Sequence, residues 1–470
     1  MPRFDVIIIG GGPAGERAAV QAARAARRAA IVERASVVGG TCINWGTIPS
    51  KSLRESALFV HALTRNRLHG IRTEITDQIT VGDFMYRKRV VVQRELDLIN
   101  EVLDQYRIEV FQGQARFVDA HTVTVLGQDG QSRAVLTGDV VVIATGSSPA
   151  RPPEVPFDQQ HVFDSDTILE LPRMPRSMVV LGAGVIGIEY AATFAALGLQ
   201  ITLVDTRDRL LPYFDREMAD LMARELKRLG IIILHDERHT SIELSSRTPP
   251  RVLCRTTGSG ELEADVLLYC VGRDGNTRGL GLEAIGLTPD PRGLLTVNEH
   301  FQTSIPHIYA VGDVIGYPAL ASTSMEQGRQ AIRHAFGIPG VKGKTDVLPF
   351  AIYAIPEASY IGETQEELEK RGADYVVGRG RYGMNPRGQI VGDTTGLLKL
   401  LFEGDALVLR GVHVVGFGAS ELVHIGQAYL QSGSTASQIA ETLFNYPTLS
   451  DLYRHAALEA LREHRLKHEP

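Results

Sequence analysis

A chain of 470 residues is too long for one hydrophobic core, and at roughly 150 residues per domain it predicts about three domains. Hydrophobic residues at 44%, charged residues at 22% and 47 glycines describe a folded protein rich in tight turns and exclude disorder. The formal net charge of -6 offers no basic excess for a nucleic-acid backbone, and no apolar run is long enough to span a bilayer, so neither nucleic acid nor membrane is an expected partner.

Residues 6–9 form a continuous apolar run, as expected of a parallel strand buried on both faces. Met-Pro-Arg-Phe-Asp leads straight into it with no cleavable apolar segment. Gly10-x-Gly12-x-x-Gly15 then opens an alanine-rich helix. Two of these glycines let the backbone turn tightly and approach a pyrophosphate, and the third lets the helix pack on the strand. The helix amino terminus favours the phosphate charge. A second strand, 29–32, delivers Glu33 to where a carboxylate accepts hydrogen bonds from an adenosine ribose. Strand, triplet, helix, strand and acid in that order make a dinucleotide-binding unit.

Residues 39–51 read GGTCINWGTIPSK and hold Gly40, Thr41, Cys42, the chain's single tryptophan Trp45, Thr47 and Lys51. Of the three cysteines, Cys42, Cys254 and Cys270, no two have metal-ligand spacing and no disulfide framework is evident, so no metal site is expected and the compartment implied is the cytoplasm. Gly113 and Ala115 sit in a Gln-Gly-Gln-Ala turn. A strand through residue 140 ends in Thr145-Gly146, and the proline-rich stretch 149–156 reads as a crossover linker.

The dinucleotide fingerprint then recurs. A strand at 177–181 leads into Gly182-x-Gly184-x-x-Gly187, a helix with Glu189 just inside it, a strand at 201–204, and Asp205. Arg207 and Arg209 follow. Residues 266–271 close on Gly272-Arg273, and a strand from 308 ends in Gly312-Asp313. A glycine-rich connector at 337–344 precedes the last region. Two dinucleotide units in one chain suit an enzyme that passes hydride between a flavin and a nicotinamide.

Together these motifs resemble the class I pyridine nucleotide-disulfide oxidoreductases, whose pattern GGTCxNxGCxPSK carries two cysteines that take electrons from FAD. Cys42 matches the first sulfur, and Thr47 stands where the second belongs. A hydroxyl cannot support thiol exchange, so that electron exit is closed. The resemblance implies an α/β fold with two Rossmann-like domains, for FAD and NAD(P), and an α+β C-terminal dimerisation domain. The implied boundaries are 1–148 and 272–346 for the FAD domain, 149–271 for the NAD(P) domain and 347–470 for the interface. It assigns FAD to Gly10, Gly12, Gly15, Glu33, Gly40, Thr41, Cys42 and Lys51, with Gly113, Ala115, Thr145, Gly146, Gly312 and Asp313. NAD(P) falls to Gly182, Gly184, Gly187, Asp205, Arg207, Gly272 and Arg273. Lys51 and Glu189 are the implied catalytic pair beside the flavin N5.

The family's His-Pro-Thr-x-x-Glu segment reads Tyr446-Pro-Thr-Leu-Ser-Asp451 here, so the acid-base histidine is lost together with the second sulfur. Threonine at 47 also resembles the soluble FAD-dependent pyridine nucleotide transhydrogenases. That likeness extends through Phe117-Val-Asp-Ala-His-Thr, Asp205-Thr-Arg-Asp-Arg-Leu-Leu and Phe444-Asn-Tyr-Pro-Thr. It implies a homodimer in which NADPH reduces FAD, NADP leaves, and NAD enters the same pocket to be reduced. Asp205 suits the ribose hydroxyls of NAD, while Arg207, with Arg209 as a second candidate, suits the 2'-phosphate of NADP. The alternatives are an NAD(P)H dehydrogenase acting on quinones or dyes, a non-catalytic flavin-binding protein, and a thiol reductase. Cys42 is read either as a contact to the flavin or as a packed sulfur.

Overall fold

The computed structural model describes residues 1–65, 81–340 and 347–468; positions 341–344 of the expected connector lie outside them. Strand Arg3–Ile9 pairs in parallel with Ala29–Glu33 on one side and with Ser132–Ile143 on the other. Because side chains alternate along a strand, Val6 and Ile8 enter one core, with Ala14, Ala18 and Ile31, while Ile7 and Ile9 enter another, with Phe117, Val125 and Leu136. Both faces are buried, which is why the run is apolar without interruption. Truncating Ile7 or Ile8, each fully buried, to alanine costs about 2–5 kcal/mol.

The full sheet has seven strands. Glu109–Gln112 extends it beyond Ala29–Glu33, and the antiparallel meander Gln114–Asp119, Thr122–Leu126 closes the opposite edge. Ser132–Ile143 is longer than the sequence suggested because its first half belongs to the meander and its second half pairs in parallel with Ile308–Ala310. Helix Pro13–Arg24 begins on a proline, which lacks only an N–H that would have no partner in the helix. Its small residues admit helix Ala321–Ala335 closely enough that a Cβ on Gly328 would lie 2.2 Å from the Ala14 carbonyl oxygen.

The second sheet is five-stranded and parallel, in the order Ile232–Leu234, Gln200–Val204, Ser177–Leu181, Val266–Tyr269, Val162–Asp164. One face is covered by the helices Val185–Ala196 and Arg216–Arg228. The other carries the antiparallel strands His239–Leu244, Val252–Thr256 and Gly260–Ala264. Ser147–Pro149, leaving the first sheet, pairs antiparallel with Arg273–Gly275, returning to it, so both crossings run side by side.

The last region is a five-stranded antiparallel sheet, Phe350–Ile352, Ala358–Gly362, Val408–Val415, Leu397–Glu403, Tyr375–Arg381, backed by helices Ala419–Gln431 and Leu452–His468. Gly378 and Gly380 let the last helix approach, since a Cβ there would sit 1.9 and 2.5 Å from the carbonyl oxygens of Ala456 and Leu452. Large apolar side chains stay exposed here, among them Leu443, Tyr446 and Met384. No helix among the described residues is long and apolar enough to cross a membrane.

Candidate active site

Both glycine triplets fold into the same cradle. Gly10 has φ +108° and a Cβ there would meet the Ala144 carbonyl oxygen at 2.4 Å, while one on Gly15 would lie 1.9 Å from the Gly10 carbonyl oxygen. In the second triplet a Cβ on Gly182, at φ +95°, would stand 2.8 Å from the Cys270 carbonyl oxygen, and one on Gly187 would stand 1.9 Å from that of Gly182. The middle glycines differ in kind. A Cβ on Gly12 finds nothing nearer than 3.6 Å, and one on Gly184 nothing within 4 Å. That open space faces a helix amino terminus, where a pyrophosphate fits.

In front of the first cradle lies a cleft lined by Gly10, Gly12, Glu33, Gly40, Thr41, Cys42, Gly113, Ala115, Thr145, Gly146, Gly312 and Asp313. These residues come from six separate stretches of chain. Gly15 lies behind the cleft, in the packing of helix on strand. Glu33 accepts the N–H groups of Gly11 (2.7 Å) and Ala35 (2.8 Å), one on each carboxylate oxygen, and each oxygen keeps a lone pair for a ribose hydroxyl. The Thr145 hydroxyl is buried in the cleft wall with no partner, an orphan that a polar ligand would satisfy. The lining fits a flavin dinucleotide: an open glycine turn, a carboxylate and an unsatisfied hydroxyl along one groove.

Sequence reasoning missed several supporting residues. Ser147 donates to Asp313 at 2.9 Å and accepts from Arg273 Nε at 2.8 Å, so Arg273 braces the crossing strands. Its Nη2 also donates to the Ser147 carbonyl at 2.9 Å. Gln327 accepts the Gly312 N–H at 2.7 Å. Gly272, at φ +90°, accepts from the Ala150 N–H just past the end of the neighbouring strand. Single polar residues with no repeating pattern gave no signal for these contacts.

At the closed end of the cleft, Cys42 ends up beside Thr47, whose hydroxyl is its hydrogen-bond neighbour, and all three cysteines are free. Burial pushes the Cys42 thiol up; the Thr47 contact and the Lys51 charge act against this and do not cancel it. Lys51 Nζ donates to Glu189 Oε2 at 2.6 Å, joining helix Thr47–Arg65 to helix Val185–Ala196. The Tyr353 N–H donates to the other Glu189 oxygen at 2.8 Å, and the Tyr353 ring lies 5.1 Å from the ammonium. Both charges are therefore fixed by neighbours.

Behind the second cradle, Asp205 is nearly buried and lies under Arg207, whose Nε stands 3.1 and 2.9 Å from its two oxygens and whose Nη2 stands 2.7 Å away. Arg209 turns elsewhere, its Nη2 donating to the Pro212 carbonyl at 2.7 Å. Asp451 Oδ2 lies 3.2 Å from His455 Nε2, and Tyr446 is exposed.

Residues 4–328 match the family model described as pyridine nucleotide-disulphide oxidoreductase, and residues 348–457 match that family's dimerisation domain. The chain belongs to the pyridine nucleotide-disulphide oxidoreductase family. Membership implies binding of a flavin and of a nicotinamide dinucleotide. A soluble pyridine nucleotide transhydrogenase of Mycobacterium tuberculosis is 44% identical over 466 residues, covering 99% of this chain and 98% of the relative. One from Yersinia pestis is 42% identical over 466 residues, covering 97% and 98%. Among solved structures, the copper(II) complex of the HOCl-induced flavoprotein disulfide reductase RclA from Escherichia coli superposes with a TM-score of 0.87 at 28% identity, covering 97% of this chain and 100% of that one.

Proposed function

We propose that this chain is an FAD-dependent transhydrogenase that moves hydride between NADPH and NAD, working as a cytoplasmic homodimer without a redox disulfide. The observation that carries the reading is position 47: the thiol of Cys42 faces a hydroxyl, while both glycine cradles and the Lys51–Glu189 pair are intact. Bound in the first cleft, a flavin supplies a two-electron relay that accepts hydride from one pyridine ring and returns it to another. The chain's residues do the rest. Gly12 and Gly184 leave room for the two pyrophosphates, Glu33 and Asp205 receive the ribose hydroxyls, and Asp313, held by Ser147, receives the ribityl chain. Lys51 and Glu189 fix the charge beside the ring at which hydride is exchanged. Arg207 offsets Asp205 when a 2'-phosphate enters. Domain boundaries at 148, 271 and 346 are assigned on the same reading.

Two relatives named soluble pyridine nucleotide transhydrogenase, matched over nearly the whole length, support exchange between nicotinamides as the reaction. The test mixes purified holoenzyme with NADPH and a spectrally distinct NAD analogue under anaerobic conditions. Reduction of the analogue at the expense of NADPH is expected. An enzyme that bleaches quinones or dyes with NADPH and leaves the analogue oxidised is a diaphorase, and the proposal fails.

A further inference from the structure

Lys51 and Glu189 stand on two different helices, and a salt bridge between helices keeps its geometry only as well as the helices are held. Glu189 receives the Tyr353 N–H, so its second support comes from the turn that joins strands Phe350–Ile352 and Ala358–Gly362, within the segment matched to the dimerisation domain. That turn is gripped in its own right. Arg54 Nε donates to the Ala354 carbonyl at 3.0 Å and Arg54 Nη2 donates to Glu357 at 2.9 Å, so one guanidinium holds both ends of it. The other Glu357 oxygen accepts the Ser420 N–H at 3.1 Å and the Ser420 hydroxyl at 2.8 Å, which ties the carboxylate to the start of helix Ala419–Gln431.

Arg54 follows Lys51 by three residues on helix Thr47–Arg65, and residues three apart share a helix face. The contacts therefore close into a ring: Lys51 to Glu189, Glu189 to Tyr353, the next residue Ala354 to Arg54, and Arg54 back through one turn of helix to Lys51. This ring takes in one helix beside the first cradle, the helix of the second cradle and the last sheet. The Arg54 side chain is 8% exposed and that of Glu357 12%. Burying such a pair is weak support for stability, because lost hydration offsets the attraction. What the pair supplies is geometry, since the planar guanidinium fork fixes direction as well as distance.

We infer that Arg54 is a positioning residue for hydride transfer: by holding the Ala354 carbonyl it seats the Tyr353 N–H against Glu189, and through Glu189 it sets the place of the Lys51 ammonium. This rests on the proposed role of Lys51 and Glu189 beside the flavin, and adds that the last sheet sets their geometry. The working group is Arg54 Nε more than the charge. Arginine and glutamine each carry a nitrogen after three side-chain carbons, so Arg54→Gln keeps a donor for Ala354 and loses the ion pair. Lysine holds its single nitrogen one atom further out, so Arg54→Lys keeps a cation for Glu357 and loses the Nε donor.

Anaerobic rapid mixing of each holoenzyme with NADPH separates the limiting rate of flavin bleaching from the Kd, and the midpoint potential of the bound flavin, titrated against a reference dye with no nucleotide present, is a readout free of turnover. Arg54→Met is expected to slow the limiting rate about tenfold while the Kd moves by less than about threefold, and to shift the flavin potential in the same direction as Lys51→Met. In a Lys51→Met background it is expected to cost less than a further factor of about two, because both substitutions undo one arrangement. Arg54→Gln is expected to stay within about threefold of the parent rate and Arg54→Lys to resemble Arg54→Met, and these two variants carry the test if Arg54→Met loses its FAD. Rate losses that multiply in the double variant, or a lysine variant faster than the glutamine one, mark Arg54 as a structural brace and overturn the inference. Lys51→Met without effect on rate or potential removes the pair from the chemistry and the inference with it. A parent enzyme that bleaches with NADPH yet never reduces an NAD analogue sinks the proposed hydride exchange and leaves Arg54 its part in flavin reduction.

Discussion

Arg207→Ala probes how one pocket serves two nucleotides. Asp205 is 4% exposed, and the Arg207 guanidinium lies across both its oxygens, so the carboxylate meets an incoming nucleotide as half of an ion pair. With the guanidinium gone, a 2'-phosphate about 4 Å from that carboxylate is repelled by about 4 kcal/mol per unit charge at an effective dielectric near 20. Arg207 is itself 35% exposed, so water and salt reach the site and roughly half of that figure survives, about 2 kcal/mol. This corresponds to roughly a thirtyfold rise in the Kd for NADPH. NADH has no 2'-phosphate and still presents its hydroxyls to Asp205, so its Kd is expected to move by less than about threefold. Anaerobic rapid mixing, with the rate of flavin bleaching followed against nucleotide concentration, gives both constants. The NADPH defect should also shrink at high ionic strength. Equal loss for the two nucleotides, or an NADPH defect indifferent to salt, refutes the assignment of Arg207 to the phosphate.

Three further substitutions test separate parts of the structure. Gly187→Ala forces a Cβ to within 1.9 Å of the Gly182 carbonyl oxygen and is expected to abolish nicotinamide binding while the protein stays yellow; retained NADPH affinity by titration contradicts the cradle geometry. Thr47→Cys puts a second sulfur next to Cys42 and is expected to raise anaerobic electron uptake by two per flavin; uptake unchanged from the parent argues against reading position 47 as the missing half of a disulfide. Lys399→Met removes the ammonium that bridges the two oxygens of Asp215 at 2.9 and 2.8 Å, both groups being buried, and is expected to cost about 3–5 kcal/mol. Burial pushes the Asp215 carboxyl up, but His413, Lys399 and the Gln365 N–H together hold it below the ordinary range. A depressed carboxyl stabilises the fold above its unfolded pKa near 4 and loses that contribution as pH falls through the lowered value. Melting temperatures against pH should therefore show the gap between parent and variant widest above about pH 4 and narrowing as pH falls and Asp215 is protonated, and a gap that does not change with pH counts against the pair.

The glycine cradles were legible in the sequence because their constraints are local. Each is set by a few residues on one turn, and the reasons for Gly10, Gly15, Gly182 and Gly187 are clashes with backbone close by in the chain or in the adjoining strand. What was not legible depends on long-range contact. Ser147 meets Asp313 across 166 positions, and Arg273 meets Ser147 through the pairing of the two crossing strands. Lys399 sits in Leu-Leu-Lys-Leu-Leu-Phe, where nothing in the strand pattern says that its charge ends buried against Asp215. Asp451 has an imidazole four residues on, and helical spacing gives it His455, whereas the family segment paired its position with residue 446.

Function was more legible than these contacts, and position 47 explains why. RclA, a disulfide reductase, shares this fold over nearly its entire length, so the fold alone does not choose between thiol exchange and hydride exchange. Threonine is close to cysteine in size, and helix Thr47–Arg65 forms with the threonine at its start. The exchange of one sulfur for a hydroxyl therefore passes through the architecture without trace and changes only the chemistry open to the site. Cys42 is left half-buried, its thiol held neutral to higher pH than an exposed one, beside an atom with which it cannot form a disulfide. Thiol exchange through a Cys42 disulfide is therefore closed to this site, whatever else the cleft holds.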